Sequence, residues 1–400
     1  MRILFLTQLF EPEPALKGLA FVKGLEAAGH SVEVVTGFPN YPGGKIYQGY
    51  RLKPWQVDVL DGVRVTRLAH WPSHDLSGPW RAWHFFSFFL SAFFYVLVKG
   101  RRYDLIYVGH PGVTTGLAAC LGGWLWRLPY VLDIQDLWPD SLVASGLSGA
   151  SRMAKMVRPL CNLVHHHATY VVAQSKGMAR VLIERGAREE RVKVIYNWAA
   201  DAPSAQLPDD SHKSGLFPII YAGNMGPLQA LHIAVAAAGL VARKDARIEL
   251  WLIGAGVELE RLKVLVDKEQ IKNVRFLPRL PAKELAPILA KAGALLLCLA
   301  DRPLLEFTIP SKSQFYLAAG KPILAAVGGE VGRIMQESGA AIVVPPENPA
   351  RLAEAMMALA GASQAELRAM GNNGRKAYEE QFNFETALAK TNDVLNAVVS

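Results

Sequence analysis

Residues 308–324 read TIPSKSQFYLAAGKPIL. They set Ser311 and Lys312 at the mouth of an apolar helix, behind a proline that suits a first helical turn. A plain packing layer has no need of a cation there. A phosphate would explain it, because lysine is a compact point charge and a helix N-terminus adds free N–H groups and the positive end of the dipole. The alternative is an ordinary surface lysine, and the apolar company of Lys312 favours the phosphate.

Three further loops could meet an anion in the same way. YAGNMGPLQAL (221–231) carries Asn224 between two glycines, the second being Gly226. LIGAGVELERL (252–262) carries Gly254 and Gly256, and PALKGLAF (14–21) carries Lys17 and Gly18. None matches a dinucleotide fingerprint or a P-loop, so each reads either as a phosphate loop or as a tight strand-to-helix turn. Arg279, beyond the strand-like VRFLP, joins the candidate binding residues. His110, in YVGHPG, falls at a strand's carboxyl end and either faces a ligand or is packed. The run HHH at 165–167 invites a metal, but neighbours on a helix diverge by about 100°, so three in a row do not close on one ion. It reads as structural or surface.

The elements that must position these residues follow from the pattern of the chain. Strand-like runs at 2–6, 31–37, 63–68, 104–109, 130–134, 170–175 and 192–198 alternate with helical segments, which predicts parallel βαβ units and a doubly wound α/β sheet. The polar stretch DAPSAQLPDDSHKSG (201–215) reads as a linker. The pattern restarts at 218–224, 248–254, 274–278, 294–300, 322–327 and 340–345. Two Rossmann-like domains are therefore expected, 1–200 and 216–374, with a crevice between them and a last helix in 375–400 that packs back across the boundary. Ligands of open parallel sheets bind beyond the strands' carboxyl ends.

Totals agree with this reading. A chain of 400 residues that is 51% hydrophobic is long enough for two cores and far from disorder. Three scattered cysteines imply neither a disulfide framework nor a zinc cluster and suit a reducing, cytoplasmic setting. MRILFLTQLF runs into EPEP without a small-residue cleavage site, so a first strand explains it better than a signal peptide. The net charge of +8 is one-sided: residues 1–200 hold 22 Lys plus Arg against 14 Asp plus Glu, and residues 201–400 hold 21 of each. A polyanion or an anionic membrane suits the first half.

The stretch WRAWHFFSFFLSAFFYVLVKGRR (80–102) reads as a helix apolar nearly all round, which belongs in a core or in lipid. Its core is shorter than the ~20 residues of a spanning helix and holds His84, Ser87 and Ser91. Flanking basic residues suit an interfacial helix on anionic headgroups, with Phe85, Phe86, Phe88, Phe89 and Phe93 in lipid. A crossover helix under the sheet is the alternative.

DGVRVTRL, DIQDLWPDS (133–141), VIYNW, YAGNMG and PSKSQFYLAAGKPI, in this order, together with GHSVEVVTGFPNYPGGKIYQGY (29–50), resemble the GT-B glycosyltransferases of family 4. The likeness is greatest to the bacterial branch with L-fucosamine and colanic-acid-type transferases of surface polysaccharide assembly. The resemblance implies two Rossmann-like domains facing a cleft, a nucleotide sugar (UDP-linked) on the second half, and a lipid-diphosphate-linked saccharide acceptor on the first. It also implies retention of configuration with no metal or other cofactor, and a peripheral place on the cytoplasmic membrane face. No nucleic acid is expected among the partners.

Two departures stand out. Many relatives carry two glutamates eight apart before the Ala-x-Gly of the helix. Here Glu306 and Gln314 are eight apart, while counting back from Gly320 gives Phe307 and Phe315. Gln314 is carried over as a substitute ligand for the ribose diol and Glu306 for the donor sugar. Relatives also often place a histidine after the strand matching YVLDI, near the sugar's 6-hydroxyl. Gln135 or Asp136 stands here, which suits a 6-deoxy amino sugar. Asp136 either orients the acceptor hydroxyl or caps a helix. Lys312 would neutralise the leaving diphosphate. A non-hydrolysing sugar-nucleotide epimerase and a sugar-nucleotide-binding subunit without activity are the rival readings.

Overall fold

The computed structural model describes residues 1–73, 78–109, 112–140, 150–200, 202–203, 205–210 and 215–399. They divide into two compact units, Met1–Ile195 with Leu388–Ser400, and Tyr196–Ala387. His110 lies outside the described residues.

Buried apolar runs such as RILFLT and LIYVG make the first sheet, as expected for parallel strands covered on both faces. Its strands are β1 (Arg2–Thr7), β2 (Ser31–Gly37), β3 (Trp55–Leu60), β4 (Val63–Leu68), β5 (Leu105–Gly109), β6 (Tyr130–Ile134), β7 (Tyr170–Ala173) and β8 (Val192–Val194), in the order β3-β4-β2-β1-β5-β6-β7-β8. All pairs are parallel except β3 with β4. The pattern reading missed β3. Its signal was present in the alternating VDVL before Asp61-Gly62, whose φ values of 48° and 90° form the two-residue hairpin that Asp-Gly favours.

The helices of this unit are α1 (Leu19–Ala27), α2 (Gly78–Lys99), α3 (Val113–Trp126), α4 (Ala150–His167) and α5 (Lys176–Glu184). Crossovers between parallel strands are right-handed. The connections β4-α2-β5, β5-α3-β6 and β6-α4-β7 all run one way across the sheet, and β1-α1-β2 runs the other. This puts α2, α3 and α4 on one face and α1 on the opposite one.

Helix α2 is a crossover helix, yet only 33% of its apolar window is buried. Its polar residues point inward. His84 Nδ1 lies 2.7 Å from the Trp71 carbonyl, Ser87 Oγ accepts from Trp71 N at 2.8 Å, Ser91 Oγ donates to the Ala69 carbonyl at 2.6 Å, and Tyr95 donates to Glu33 at 2.8 Å. Trp83, Phe86, Phe94 and Val98 are exposed, whereas Phe88 is in the core. The five phenylalanines expected to share one environment are thus divided.

The second unit is built on β9 (Phe217–Asn224), β10 (Ile248–Ala255), β11 (Val274–Leu277), β12 (Ala294–Cys298), β13 (Ile323–Ala326) and β14 (Ala341–Val344), all parallel in the order β11-β10-β9-β12-β13-β14. Its helices are α6 (Leu231–Ala242), α7 (Leu259–Lys268), α8 (Ala282–Leu289), α9 (Ser311–Ala319), α10 (Gly329–Glu337), α11 (Pro349–Gly361) and α12 (Gln364–Ala377). The described part of the expected linker is bonded to this unit: Leu207 N donates to Ala319 O, Asp210 N to Ala290 O, and Lys321 pairs with Asp209 at 3.1 Å.

The last helix, α13 (Phe384–Val399), starts in the second unit, and its residues from Leu388 belong to the first. There Leu388 packs against Gly24, Asn392 Oδ1 lies 2.6 Å from His30 Nε2, and the buried Thr391 hydroxyl bonds the Tyr107 phenol.

Candidate active site

In the second unit the strand order turns at β9: β10 and β11 lie on one side, β12 to β14 on the other. Loops leaving β9 and β12 part at such a point and open a crevice at the carboxyl ends. Lys312 stands there, at the second position of α9, whose Pro310 N-cap makes no side-chain cap. Its ammonium lies 3.9 Å from the centroid of the Tyr221 ring and donates to the Tyr221 hydroxyl. Gly223, at the end of β9, has φ of 142°, and a Cβ there would sit 2.6 Å from Lys312 Nζ. Only glycine lets the strand end and the ammonium approach this closely. Tyr316 of α9 accepts from Ala222 N at 3.0 Å and ties the helix to β9.

Burial pulls the Lys312 ammonium from its ordinary 10.5 down to about 8. No carboxylate pairs with Lys312 among the described residues. A cation held beside a strand-end glycine and a helix N-terminus, short of its own counter-ion, is suited to an incoming diphosphate.

The other candidates of this unit divide. Asn224 is exposed at the end of β9, and Ser311 is exposed at the first turn of α9. Gly226 donates its N–H to Gln229 Oε1 at 2.9 Å, and Met225 donates to the Ala255 carbonyl at 2.8 Å, so these N–H groups are spent within the loops. A Cβ on Gly254 would lie 2.0 Å from the Gly223 carbonyl oxygen, and one on Gly256 would lie 2.3 Å from that of Met225. Gly226, Gly254 and Gly256 therefore serve close loop packing, which was the plainer reading. Arg279 is exposed two residues past β11.

Gln314 is corrected by the structure. It is 2% exposed, and its amide nitrogen donates to the Pro310 and Ser311 carbonyls at 2.8 and 3.1 Å once the amide is oriented to suit its neighbours. An amide spent on its own helix start is not offered to a ribose. Counting back from Gly320 puts the position on Phe315, which is partly exposed. Glu306 is exposed and lines a hollow with Asp301, Arg302, Leu305, Gly328 and Pro346.

In the first unit Lys17 is also corrected. Its ammonium is paired with the Asp133 carboxylate, and the two side chains are 6% and 1% exposed. Tyr107 donates to the same carboxylate, and Gln135 Nε2 donates to its other oxygen at 2.6 Å. The expected anion site at Gly18 is occupied too: Glu11 Oε1 accepts from Leu19 N at 2.7 Å, so an internal carboxylate already sits on the start of α1. Asp136 is exposed two residues past β6 and borders a small hollow with Gly112, Val113, Trp138 and His165.

His165 to His167 diverge as expected. His165 is buried, and burial, with Arg185 nearby, lowers it to about 4; His166 and His167 are exposed. Among the described residues no group of three His, Cys, Asp or Glu comes together to hold a metal ion.

The residue-by-residue reading missed Tyr221, Tyr316 and Asp133. It also missed a buried polar chain at the carboxyl ends of β1, β2 and β4. Gln8 Nε2 lies 2.8 Å from His84 Nε2, and Asn40 Nδ2 lies 3.0 Å from His70 Nε2. With His84 Nδ1 donating to Trp71, its Nε2 accepts from the Gln8 amide. Tyr221 in YAGN, Tyr316 two residues after Gln314 and Asp133 two before Gln135 each lie near a candidate residue already singled out, whereas the polar chain of Gln8, Asn40, His70 and His84 left no such signal.

Two family descriptions match the chain: a glycosyl transferase 4-like domain over residues 19–198 and a glycosyl transferases group 1 domain over residues 217–361. The chain is 28% identical over 390 residues to the putative colanic acid biosynthesis glycosyl transferase WcaI of Escherichia coli K12, covering 92% of this chain and 93% of that one. It is 26% identical over 305 residues to the probable glycosyltransferase WbjE of Pseudomonas aeruginosa, covering 73% and 74%. Among solved structures, Anabaena Alr3699/HepE in complex with UDP-glucose superposes with a TM-score of 0.67 at 17% identity over 99% of this chain and 100% of that one. The lipopolysaccharide outer core galactosyltransferase WaaB superposes with a TM-score of 0.66 at 14% identity over 99% of each.

Proposed function

The chain belongs to the GT-B glycosyltransferases of family 4, built from a glycosyl transferase 4-like and a group 1 domain, and from that premise we propose what it transfers and to what. The donor is a nucleotide sugar, UDP-linked, held by the second unit. The acceptor is a lipid-diphosphate-linked saccharide of surface polysaccharide assembly, met by the first unit at the cytoplasmic membrane face. The observation that carries this reading is the Lys312 ammonium held against Gly223 and Tyr221 at the turning point of the second sheet.

In the reaction the bond from the sugar's anomeric carbon to the diphosphate breaks as the bond to the acceptor oxygen forms. The acceptor's proton leaves on the departing diphosphate, and configuration is retained. Charge grows on the leaving diphosphate as the sugar gains oxocarbenium character, and Lys312 with the α9 N-terminus stabilises that charge without a metal ion. Asp136 orients the acceptor hydroxyl. No histidine directly follows β6, where Gln135 and Asp136 stand, and a donor without a 6-hydroxyl, such as a 6-deoxy amino sugar, needs none.

The test is a panel of nucleotide sugars offered with a lipid-linked acceptor and read by mass spectrometry, with the product's anomer assigned by NMR. Transfer of one sugar from a UDP donor with retained configuration supports the proposal. Donor isomerised without an acceptor would identify an epimerase, and donor bound without turnover a binding subunit; either overturns it.

A further inference from the structure

We propose that α2, α3 and α4 of the first unit form one continuous docking face for the anionic headgroup layer of a membrane, on which α2 lies flat. The inference rests on the lipid-linked acceptor reading and assigns the surface that meets the lipid.

Helix α2 is amphipathic in the reverse of the usual sense. A helix on a soluble domain turns its apolar stripe to the core and its polar face to water. Here His84, Ser87, Ser91 and Tyr95 are bonded inward, while Trp83, Phe86, Phe94 and Val98 face outward at helical spacing. Val98 is 76% exposed. At 22 residues the helix measures about 33 Å, long enough to span a bilayer. Its inward hydrogen bonds hold it against the domain, so it cannot stand upright in lipid without abandoning them.

Helix α3 widens the stripe. It packs directly on α2, since Gly122 leaves room for Val96 and the Trp126 indole donates to the Val96 carbonyl at 3.1 Å. Its outer side presents Leu121, Trp124 and Leu125, and Trp124 is 82% exposed. Helix α4 packs on α3 in turn and exposes Met156 and Leu163. Soluble proteins rarely leave so much contiguous apolar surface unless something covers it.

Charge selects the occupant. The three helices contain no Asp or Glu, but they and the turn after α2 contribute Lys99, Arg101, Arg102, Arg152, Lys155 and Arg158. The Arg101 guanidinium stacks 4.1 Å from the Trp126 ring and Lys99 lies 4.9 Å from that of Tyr95, which sets cations at the rim of the aromatic stripe. Arg158 is paired with Asp140 at 3.5 Å, and an aromatic face whose other rim cations meet no carboxylate in an ion pair among the described residues matches a layer of anionic headgroups over acyl chains. A second copy would bring two such basic faces together and repel.

The experiment is co-sedimentation of the full chain with phosphatidylcholine vesicles, with and without phosphatidylglycerol. Trp124→Glu and Val98→Glu change side chains already in solvent, and melting curves check that both stay folded. Each is expected to weaken binding to phosphatidylglycerol vesicles about tenfold or more. The triple change R152S/K155S/R158S should weaken the same binding and remove most of its salt dependence. Both glutamate variants should transfer sugar normally to a water-soluble acceptor analogue and poorly to an acceptor in vesicles. Undiminished vesicle binding by either glutamate variant overturns the proposal. So does a change in oligomeric state in sedimentation velocity with no change in lipid binding, which would identify a second copy as the occupant. If lipid binding changes as expected while neither acceptor is glycosylated by the wild type, the docking face stands and the functional reading fails.

Discussion

The Lys17 ammonium and the Asp133 carboxylate form an ion pair sealed inside the first unit. Tyr107 and Gln135 donate to the same carboxylate, and Thr391 of the last helix bonds Tyr107, so residues far apart in the chain meet at one charge. A buried pair of this kind adds little net stability, but removing one member strands the other.

Lys17→Met is accordingly expected to lower unfolding stability by ~3–5 kcal/mol in urea titrations, because it leaves Asp133 charged and buried. Adding Asp133→Asn should restore part of the loss, the two changes being far from additive. A Lys17→Met protein of normal stability that had lost donor binding would return Lys17 to the phosphate role.

For Lys312 the expectation is reversed. Lys312→Ala removes a charge-assisted contact worth ~1.5–3 kcal/mol to the diphosphate, hence about one to two orders of magnitude in kcat/KM. The melting temperature should hold, since the deletion also relieves a buried charge. Normal turnover by this variant sinks the assignment.

The depressed titration of Lys312 sets a pH signature. With the ammonium at about 8 against an ordinary 10.5, the unfolded chain binds more protons than the folded one between those values. Stability of the donor-free protein should therefore gain a rising contribution as pH goes from 8 to 10.5, absent in Lys312→Met. Donor affinity should fall over the same range, because the diphosphate needs the protonated form. Lys312→Arg, charged throughout, should flatten the affinity profile; an unaltered slope in both variants would remove Lys312 from the site.

Gly223→Ala probes the close approach. The added Cβ would fall 2.6 Å from Lys312 Nζ on a backbone with φ of 142°. Strain of ~1–3 kcal/mol and a displaced ammonium should appear as lower melting temperature and raised donor KM together. A rise in neither would mean that the loop rearranges freely.

Chelation completes the set. With Lys312 supplying the positive charge, activity is expected to persist in excess EDTA, measured as UDP release. Loss restored by magnesium or manganese would point to an ion at the diphosphate.

Much of the architecture was legible in order along the chain. Most parallel strands announced themselves as short apolar runs between turn signals, because strands covered on both faces need no polar alternation, while some, such as β4, β8 and β11, carry a charged residue within the run. The hairpin strand β3 was missed because its half-exposed VDVL is short and weakly apolar. The two glutamate registers of 306–320 could not be separated by counting. In the fold Gln314 is turned inward onto its helix start.

The amino-acid order by itself determined the two α/β units, the lysine at the head of α9 and the one-sided charge, since each is a local pattern of apolar period, turn residues or composition. Which cation meets a carboxylate and which meets none among the described residues was decided only in three dimensions. Lys17 and Lys312 look alike as lysines beside apolar helices, but β6 brings Asp133 to the first, and β9 brings a phenol and a glycine to the second. The same holds for α2, whose residues are apolar on every side in the sequence. Which of them face outward depends on where segment 69–71 and Glu33 offer partners to its few polar groups. Pairing energies of buried charges and hydrogen bonds act between groups distant in sequence, and no spacing along the chain encodes them.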